Sequence, residues 1–363
     1  MSVNSDEITP SENHNWKKRS FWIGFLCFWL GGLGLAVLIN IIVDPLDLYG
    51  SDLFEPFIFN KYQAKLDLFR ELDSPPEALV FGSSRAGTVD PDTIGELTGY
   101  STFNWALPSV KAESILKSIQ IALDEDNERI GMIIGVIDPL VFAPGTWMPP
   151  QSQLVPEYSV SDEPENTHWS RENLKRLLTI EQFKASLTVL GRELGLISSG
   201  ETIEYRPDGY AIYHEWERQV AEGSFNLEEV LDTRVPAYLV EALKPESFRN
   251  GLGSERKEIW REALDLCMEN DIRVVVFMPP VHPRLWDYIV EEDADFLFYD
   301  TAEFLEQTVG ETGGIFRDFT RIDSFGGSPD LFYDEVHLNP RNMSILITEL
   351  FSDYEPVPVE AGN

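Results

Sequence analysis

From Phe21 to Val43 the chain carries no charged side chain. At 1.5 Å of rise per residue a helix over this run is about 34 Å long, enough to cross the hydrocarbon core of a bilayer. The run is too long for the apolar stretch of a cleaved signal peptide, and no small-x-small cleavage site follows it, so it predicts an uncleaved transmembrane helix over 21–43. Lys17, Lys18 and Arg19 precede it, whereas Asp44, Asp47, Asp52 and Glu55 follow it. The preference of basic residues for the cytoplasmic flank then makes 1–20 a cytoplasmic tail and puts everything after Asp44 outside the cytoplasm, in the periplasm or at the cell surface. The bilayer is the first expected partner.

The remainder is acidic. With 62 Asp and Glu against 28 Lys and Arg, the net charge of -34 repels nucleic-acid phosphate and anionic headgroups, which excludes nucleic acid as a partner. Of the two cysteines, Cys27 lies in the apolar run and Cys267 in a predicted amphipathic helix, a separation that argues against a disulfide or a cysteine metal cluster. No carboxylate-histidine metal cluster and no phosphate-binding glycine loop stands out, and neither a metal nor a cofactor is expected.

Residues 44–75 read as a juxtamembrane connector, because Pro45, Gly50 and Pro56 oppose one continuous helix. From 76 onward short β-branched runs alternate with longer amphipathic stretches, the pattern of parallel strands joined by helices. Strands are predicted at 78–82, 101–105, 130–137, 272–278 and 314–318. Helices are predicted at 91–98, 110–124, 254–269, 283–308 in two pieces, and 340–352. The expected fold class is α/β, a three-layer, doubly wound, parallel five-stranded sheet behind one N-terminal transmembrane helix. The segment 141–253 is too long for a simple crossover and is predicted to be an insertion that caps the carboxyl edge of the sheet. Its aromatics, Trp147, Tyr158, Trp169, Tyr205, Tyr210, Tyr213 and Trp216, would form the cap's own core or stack on sugar rings.

Two short segments carry chemistry. The first, Ala78-Leu-Val-Phe-Gly-Ser-Ser-Arg85, is an apolar strand that ends in Gly82 and delivers two serines to the turn beyond it. A nucleophilic serine needs such a perch, because its oxygen must project into a cleft while a nearby backbone amide faces the developing oxyanion. The second, Tyr333-Asp-Glu-Val-His-Leu-Asn339, places Asp334 three residues before His337 and is followed by Pro340, which suits a helix start. In such a turn the carboxylate can orient the imidazole, fix its tautomer and stabilise the imidazolium. Arg85 would either bind an anionic or carbohydrate substrate or pair with a buried carboxylate. His282, just after the fourth strand, would either line the cleft or serve the fold.

In this order and at these ends of an α/β domain, the two segments resemble the SGNH, or GDSL-like, hydrolase superfamily, in which a Gly-x-Ser after the first strand is completed by a C-terminal Asp-x-x-His. The chain is most similar to the membrane-anchored envelope branch, the D-alanyl-transfer and alginate O-acetylation proteins. Asp44-Pro45 just past the anchor, the Gly82-to-Arg85 turn, Asn104-Trp-Ala-Leu-Pro108, Val281-His282-Pro283 and Asp208-Gly-Tyr210 carry that likeness. The matches run from the anchor to the last predicted helix, so the expected soluble domain, 76–363, is SGNH-like with its insertion at 141–253.

The resemblance implies Ser84 as nucleophile, with Ser83 as the alternative, His337 as base and Asp334 as its orienter. It implies an oxyanion-hole amide after the second strand, for which Ser109 is the nearest equivalent, preceded by Asn104 and Pro108. It also implies an Asn side chain after the third strand, where this sequence has Asp138. An ionised carboxylate there would oppose the charge that it should stabilise unless it is turned away, protonated or held by Arg85. The expected function is a membrane-anchored serine esterase or O-acyltransferase acting on an acylated envelope polysaccharide or polymer. The alternative, motivated by Asp138, is a catalytically silent SGNH-like subunit of an envelope or membrane-protein complex.

Overall fold

The computed structural model describes residues 11–45, 49–51, 53–54, 61–126, 129–144, 174–175, 177–196 and 203–354. In chain order the elements are α1 (Ser11–Val43), α2 (Lys61–Arg70), β1 (Ala78–Gly82), α3 (Pro91–Thr98), β2 (Thr102–Asn104), α4 (Ala112–Asp126), β3 (Met132–Val136) and α5 (Ile180–Glu193). A hairpin follows, β4 (Ile203–Tyr205) and β5 (Ala211–Tyr213), then α6 (His214–Glu222), α7 (Leu227–Ala237), α8 (Ser254–Glu269) and β6 (Arg273–Met278). The chain closes with α9 (Pro283–Glu291), α10 (Phe296–Glu311), β7 (Ile315–Asp318) and α11 (Pro340–Leu350). It divides into two compact units, Met1–Asn60 with Met148–Ser199, and Lys61–Trp147 with Gly200–Asn363.

In the first unit α1 contains one stretch, Phe21–Val43, long and apolar enough to cross a membrane, with a mean hydropathy of 2.4. Its large side chains, among them Phe21, Trp22, Phe28 and Trp29, are exposed over most of the stretch. The helix ends where Asp44 takes a left-handed φ of 42° and its carboxylate accepts the backbone N–H groups of Tyr49 at 2.8 Å and Ser51 at 3.1 Å. Pro45, without an N–H, cannot extend it.

In the second unit five strands form one all-parallel sheet in the order β2-β1-β3-β6-β7. The central strands are apolar at nearly every position because both faces are covered, as a parallel sheet requires. Val80, Ile134, Val275 and Phe277 point to one face, where they meet Ile94 of α3 and Met343, Leu346 and Ile347 of α11. Phe81, Ile133, Gly135, Val274 and Val276 point to the other, toward Ile115 and Ile119 of α4 and Trp260 and Leu264 of α8. Helix ends follow local rules. Asp90 caps α3, Pro91 opens it and Gly99, with φ 82°, closes it.

The fold departs from its sequence expectation in two places. Within the segment read as connector, residues 61–70 form α2, which belongs to the same unit as the sheet and buries Leu66 and Phe69. Its Lys65 is fully buried, with its ammonium donating to the carbonyls of Asn104, at 2.6 Å, and Gly209 and lying 4.2 Å from the centre of the Tyr205 ring. Burial pushes its pKa well below the ordinary lysine value. A lysine gives no sequence signal for such a position. The segment 141–253 is divided as well, since 200–253 falls in the sheet unit and 148–199 in the other. Trp147, Tyr158 and Trp169 lie outside the described residues.

Gly82 closes β1 under close constraint. A Cβ there would lie 2.6 Å from the Val136 carbonyl oxygen and 2.9 Å from the Ala86 and Val136 Cβ atoms. Gly82→Ala is therefore expected to destabilise the sheet unit by about 1–3 kcal/mol, read from urea or thermal denaturation. An unchanged midpoint would contradict this packing.

Candidate active site

Chain order reverses at β1, whose neighbours β2 and β3 lie on opposite sides, and the carboxyl edge of the sheet at such a switch point is where α/β folds hold ligands. Ser83 follows Gly82 in an extended conformation and caps a short 3-10 turn, Ser84–Ala86. This turn is held from several sides. Tyr213 Oη donates to the Ser84 carbonyl at 3.1 Å, and the Ala211 N–H donates to the Gly87 carbonyl at 3.0 Å. The Asn104 side-chain amide donates to the carbonyls of Ala86 and Val89, both at 2.8 Å.

The Asp334–His337 segment reaches the same edge of the sheet by its own local logic. Backbone pairing of the Tyr333 N–H with the His337 carbonyl at 2.8 Å closes the loop. One Asp334 oxygen accepts the N–H groups of Val336 at 2.9 Å and His337 at 2.7 Å, which leaves the other for the imidazole. Asn339 and Pro340 then start α11.

The two turns meet. His337 Nε2 lies 2.8 Å from Ser84 Oγ, and His337 Nδ1 lies 2.7 Å from Asp334 Oδ2. Asp334 is buried, while Ser84 and His337 are half-buried and keep an open side. Burial opposes the charge on Asp334, yet the facing imidazole and the hydrogen bonds that it accepts hold its carboxyl down at about 2. Burial likewise works against protonation of His337, but Asp334 and, to a smaller degree, Glu335 raise its pKa above the ordinary 6.5. Glu335, buried beside the pair, is pushed up to about 6 by desolvation and by the Asp334 charge. A proton can therefore pass from Ser84 to His337 with Asp334 ionised behind it.

The remaining sequence candidates fall into different places. Ser83 does not contact His337. Its hydroxyl accepts the Arg85 N–H and stands 3.4 Å from Asp138 Oδ2, so the geometry separates the two serines in favour of Ser84. Arg85 is buried, donates to the carbonyls of Pro279 at 2.9 Å and Pro280 at 2.6 Å, and places Nη1 3.6 Å from Asp138. It ties the ends of β1, β3 and β6 together. Asp138 is held between that guanidinium and the Leu140 N–H, which it accepts at 2.9 Å. Asn104 spends its amide on the Ser84–Ala86 turn and the residues after it, and accepts the Ala106 N–H at 2.9 Å. Ser109, exposed, has a φ of 57°, the left-handed conformation that favours glycine. His282 caps α9 by accepting the Arg284 N–H at 3.1 Å and packs edge-on to Phe332, and burial lowers its pKa.

Sequence reasoning did not single out Lys111, which is buried, donates to the Leu140 carbonyl and adds a second positive charge near Asp138. Desolvation lowers its pKa to about 8. Tyr213 and Trp216, expected in the core of a cap or as sugar platforms, lie instead beside His337. These rings stack with centroids 5.0 Å apart, Trp216 stacks on Tyr333 at 4.9 Å, and Trp216 and Tyr213 lie 5.6 and 6.3 Å from His337. Beside them a cavity of about 400 Å³ is lined by Trp216, Gln219, Asn226, Thr233, Arg234 and Asp334, among others. Tyr205 instead covers Lys65, and Tyr210 covers Arg206. The one group of described acidic residues close enough to hold a metal, Asp90, Asp92 and Asp208, converges on the Arg206 guanidinium, which pairs with all three.

The Asp334–His337 pair fixes opposite pH dependences. Asp334, with its pKa lowered, contributes stability above its ordinary 3.8 that is lost as pH falls toward about 2. His337, with its pKa raised, contributes stability below 6.5 that is lost as pH rises through the folded-state value. NMR titration is expected to place the His337 midpoint above 6.5, and Asp334→Asn to lower it. An equal midpoint in the two proteins would contradict the pairing. No protein-family model and no curated protein matches this chain.

Proposed function

We propose that this protein is a membrane-anchored serine esterase or O-acyltransferase of the SGNH type, acting outside the cytoplasm on an acylated envelope glycan or polymer. The observation that carries the reading is the continuous Ser84–His337–Asp334 hydrogen-bond relay, with Ser84 and His337 only half-buried. The three-layer SGNH arrangement, with part of 141–253 as a cap, is the reading of the fold that goes with it. Support for the anchor comes from the Phe21–Val43 stretch and the basic residues before it.

In this mechanism Ser84 Oγ attacks the acyl carbonyl carbon while its proton passes to His337 Nε2. Ionised Asp334 stabilises the imidazolium that results. The carbonyl π electrons move to oxygen, and the backbone amides of Ser84 and Ser109 are the proposed donors to that oxyanion. Collapse expels the alcohol, which takes the proton from His337 and leaves an acyl-Ser84 ester. Water, or a sugar hydroxyl, then attacks the ester with His337 again as base, releasing the acid or forming the transferred ester. The cavity beside Trp216, lined by the polar side chains of Gln219, Asn226, Thr233 and Arg234, suits a carbohydrate acceptor, which offers many hydroxyls.

One observation favours the alternative of a silent accessory subunit. Asp138, where the superfamily has an amide, is a carboxylate 3.4 Å from the hydroxyl of the serine next to the nucleophile. Against this, Arg85 and Lys111 supply two positive charges at its side. Two measurements separate the readings. Hydrolysis of a chromogenic acetyl ester is expected to fall at least about a thousandfold in Ser84→Ala, and a rate no different from that of the parent would end the esterase proposal. Asp138→Asn is expected to preserve or raise the rate, because an amide can donate a hydrogen bond where a carboxylate cannot. A large loss in a folded Asp138→Asn protein would assign the carboxylate itself to the chemistry and overturn the role given to it here.

A further inference from the structure

In the first unit, α5 carries an apolar stripe that no described residue of that unit covers. Gln182, Ala185, Ser186 and Val189 form its buried face. Ile180, Leu187 and Leu194 recur at seven-residue intervals, which lines them up on one side of the helix, and they are 61%, 47% and 71% exposed. Phe183 and Leu190, half-buried, lie between the stripe and the buried face, whereas Lys184 and Thr188 lie on the opposite flank. The apolar exposure continues past the helix end in Leu196, 77% exposed. Three isolated leucines on a surface need no explanation, but a continuous stripe does.

The attachment of α5 says what covers it. Asn40, three residues before the end of α1, is wholly buried, donates to the Leu177 carbonyl at 2.9 Å and accepts the Ser186 hydroxyl at 2.8 Å. An amide on a membrane-spanning helix is costly in lipid unless both its donor and its acceptor are met. Here α5 and the residues leading into it meet both. Ala36, Val37 and Ile39 are half-buried and Val43 is buried, in contrast to the bare stretch before them, so protein packs only on the last two turns of α1. Those turns stand at the level where the span leaves the bilayer. A helix fastened there holds its uncovered stripe at the boundary between headgroups and acyl chains.

We propose that α5 is an in-plane interfacial helix whose Ile180–Leu187–Leu194 stripe is covered by the lipid of the bilayer that α1 crosses. The net charge of -34 makes anionic headgroups an unsuitable attraction, so the contact is apolar and its partner is the acyl region of any fluid bilayer, zwitterionic lipid included. The inference rests on the reading of Phe21–Val43 as a span, and the test therefore probes the span separately.

The full chain, with Cys27 replaced by Ser and Cys267 buried, is assembled into phosphatidylcholine nanodiscs with single cysteines placed at Leu30, Ile180, Leu187 or Thr188 and carrying an environment-sensitive fluorophore. Circular dichroism confirms that each variant is folded. Lipid nitroxides at shallow and deep acyl positions then act as quenchers. The Leu30 label is expected to be quenched best by the deep nitroxide. Labels at Ile180 and Leu187 are expected to be quenched best by the shallow one, and at least about twofold more than the label at Thr188, roughly 100° round the helix from Leu187. A quenched Leu30 label with Ile180 and Leu187 no different from Thr188 would overturn the interfacial helix while leaving the span intact. An unquenched Leu30 label would overturn the span, and the interfacial helix with it.

Discussion

A parallel sheet buried on both faces leaves polar groups one place to act, the loops beyond the carboxyl ends of its strands. In this chain β1 and β3 are apolar throughout, so the first hydroxyl that follows Gly82 emerges at that edge rather than within a face. The sheet also supplies the crowding that keeps Gly82 without a side chain, since Val136 of the neighbouring strand fills the space. The hydrogen bond from Ser84 to His337 joins residues 253 apart in sequence, and only the closure of this sheet brings them together. Asn104, Tyr213 and Ala211 then fix the turn from outside the strand, so the position of Ser84 depends on β2 and the β4–β5 hairpin as well as on β1.

Charge is handled by enclosure. Asp334, Arg85 and Asp138 are all buried, and each has partners that suit a charged form. Asp334 accepts two backbone N–H groups and the imidazole, Arg85 donates to two proline carbonyls, and Asp138 accepts the Leu140 N–H and lies 3.6 Å from Arg85. Removing one member of such a set would strand the others without water, which is why conservative changes such as Asp138→Asn are more informative than truncations.

Much of this was legible in the chain. The alternation of β-branched and amphipathic runs gave the five strands to within two residues at their ends, and Pro340 marked a helix start that the Asn339 cap explains. Gly82-Ser-Ser and Asp334-x-x-His337 stood out because a backbone turn and a side-chain pair are local properties. What sequence did not reveal depends on contacts between distant segments. Lys65 and Lys111 are lysines at core positions, and nothing in their neighbours announces the carbonyls that receive them. The part of the insertion from 200 onward looked like a cap, yet its hairpin delivers Tyr213 and Trp216 to the side of His337, a placement set by packing on Gly87. Between Ser83 and Ser84 the sequence left a choice, and it is Ser84 whose hydroxyl lies within hydrogen-bond distance of the imidazole.

The central claim is that Ser84 is a nucleophile activated by His337. A fluorophosphonate forms a stable bond with an activated serine, and the modified residue can be located by proteolysis and mass spectrometry. The account predicts one adduct per chain, on Ser84, lost in His337→Ala and absent from unfolded protein. An adduct on Ser83, or a folded protein that takes up no phosphonate, would contradict it.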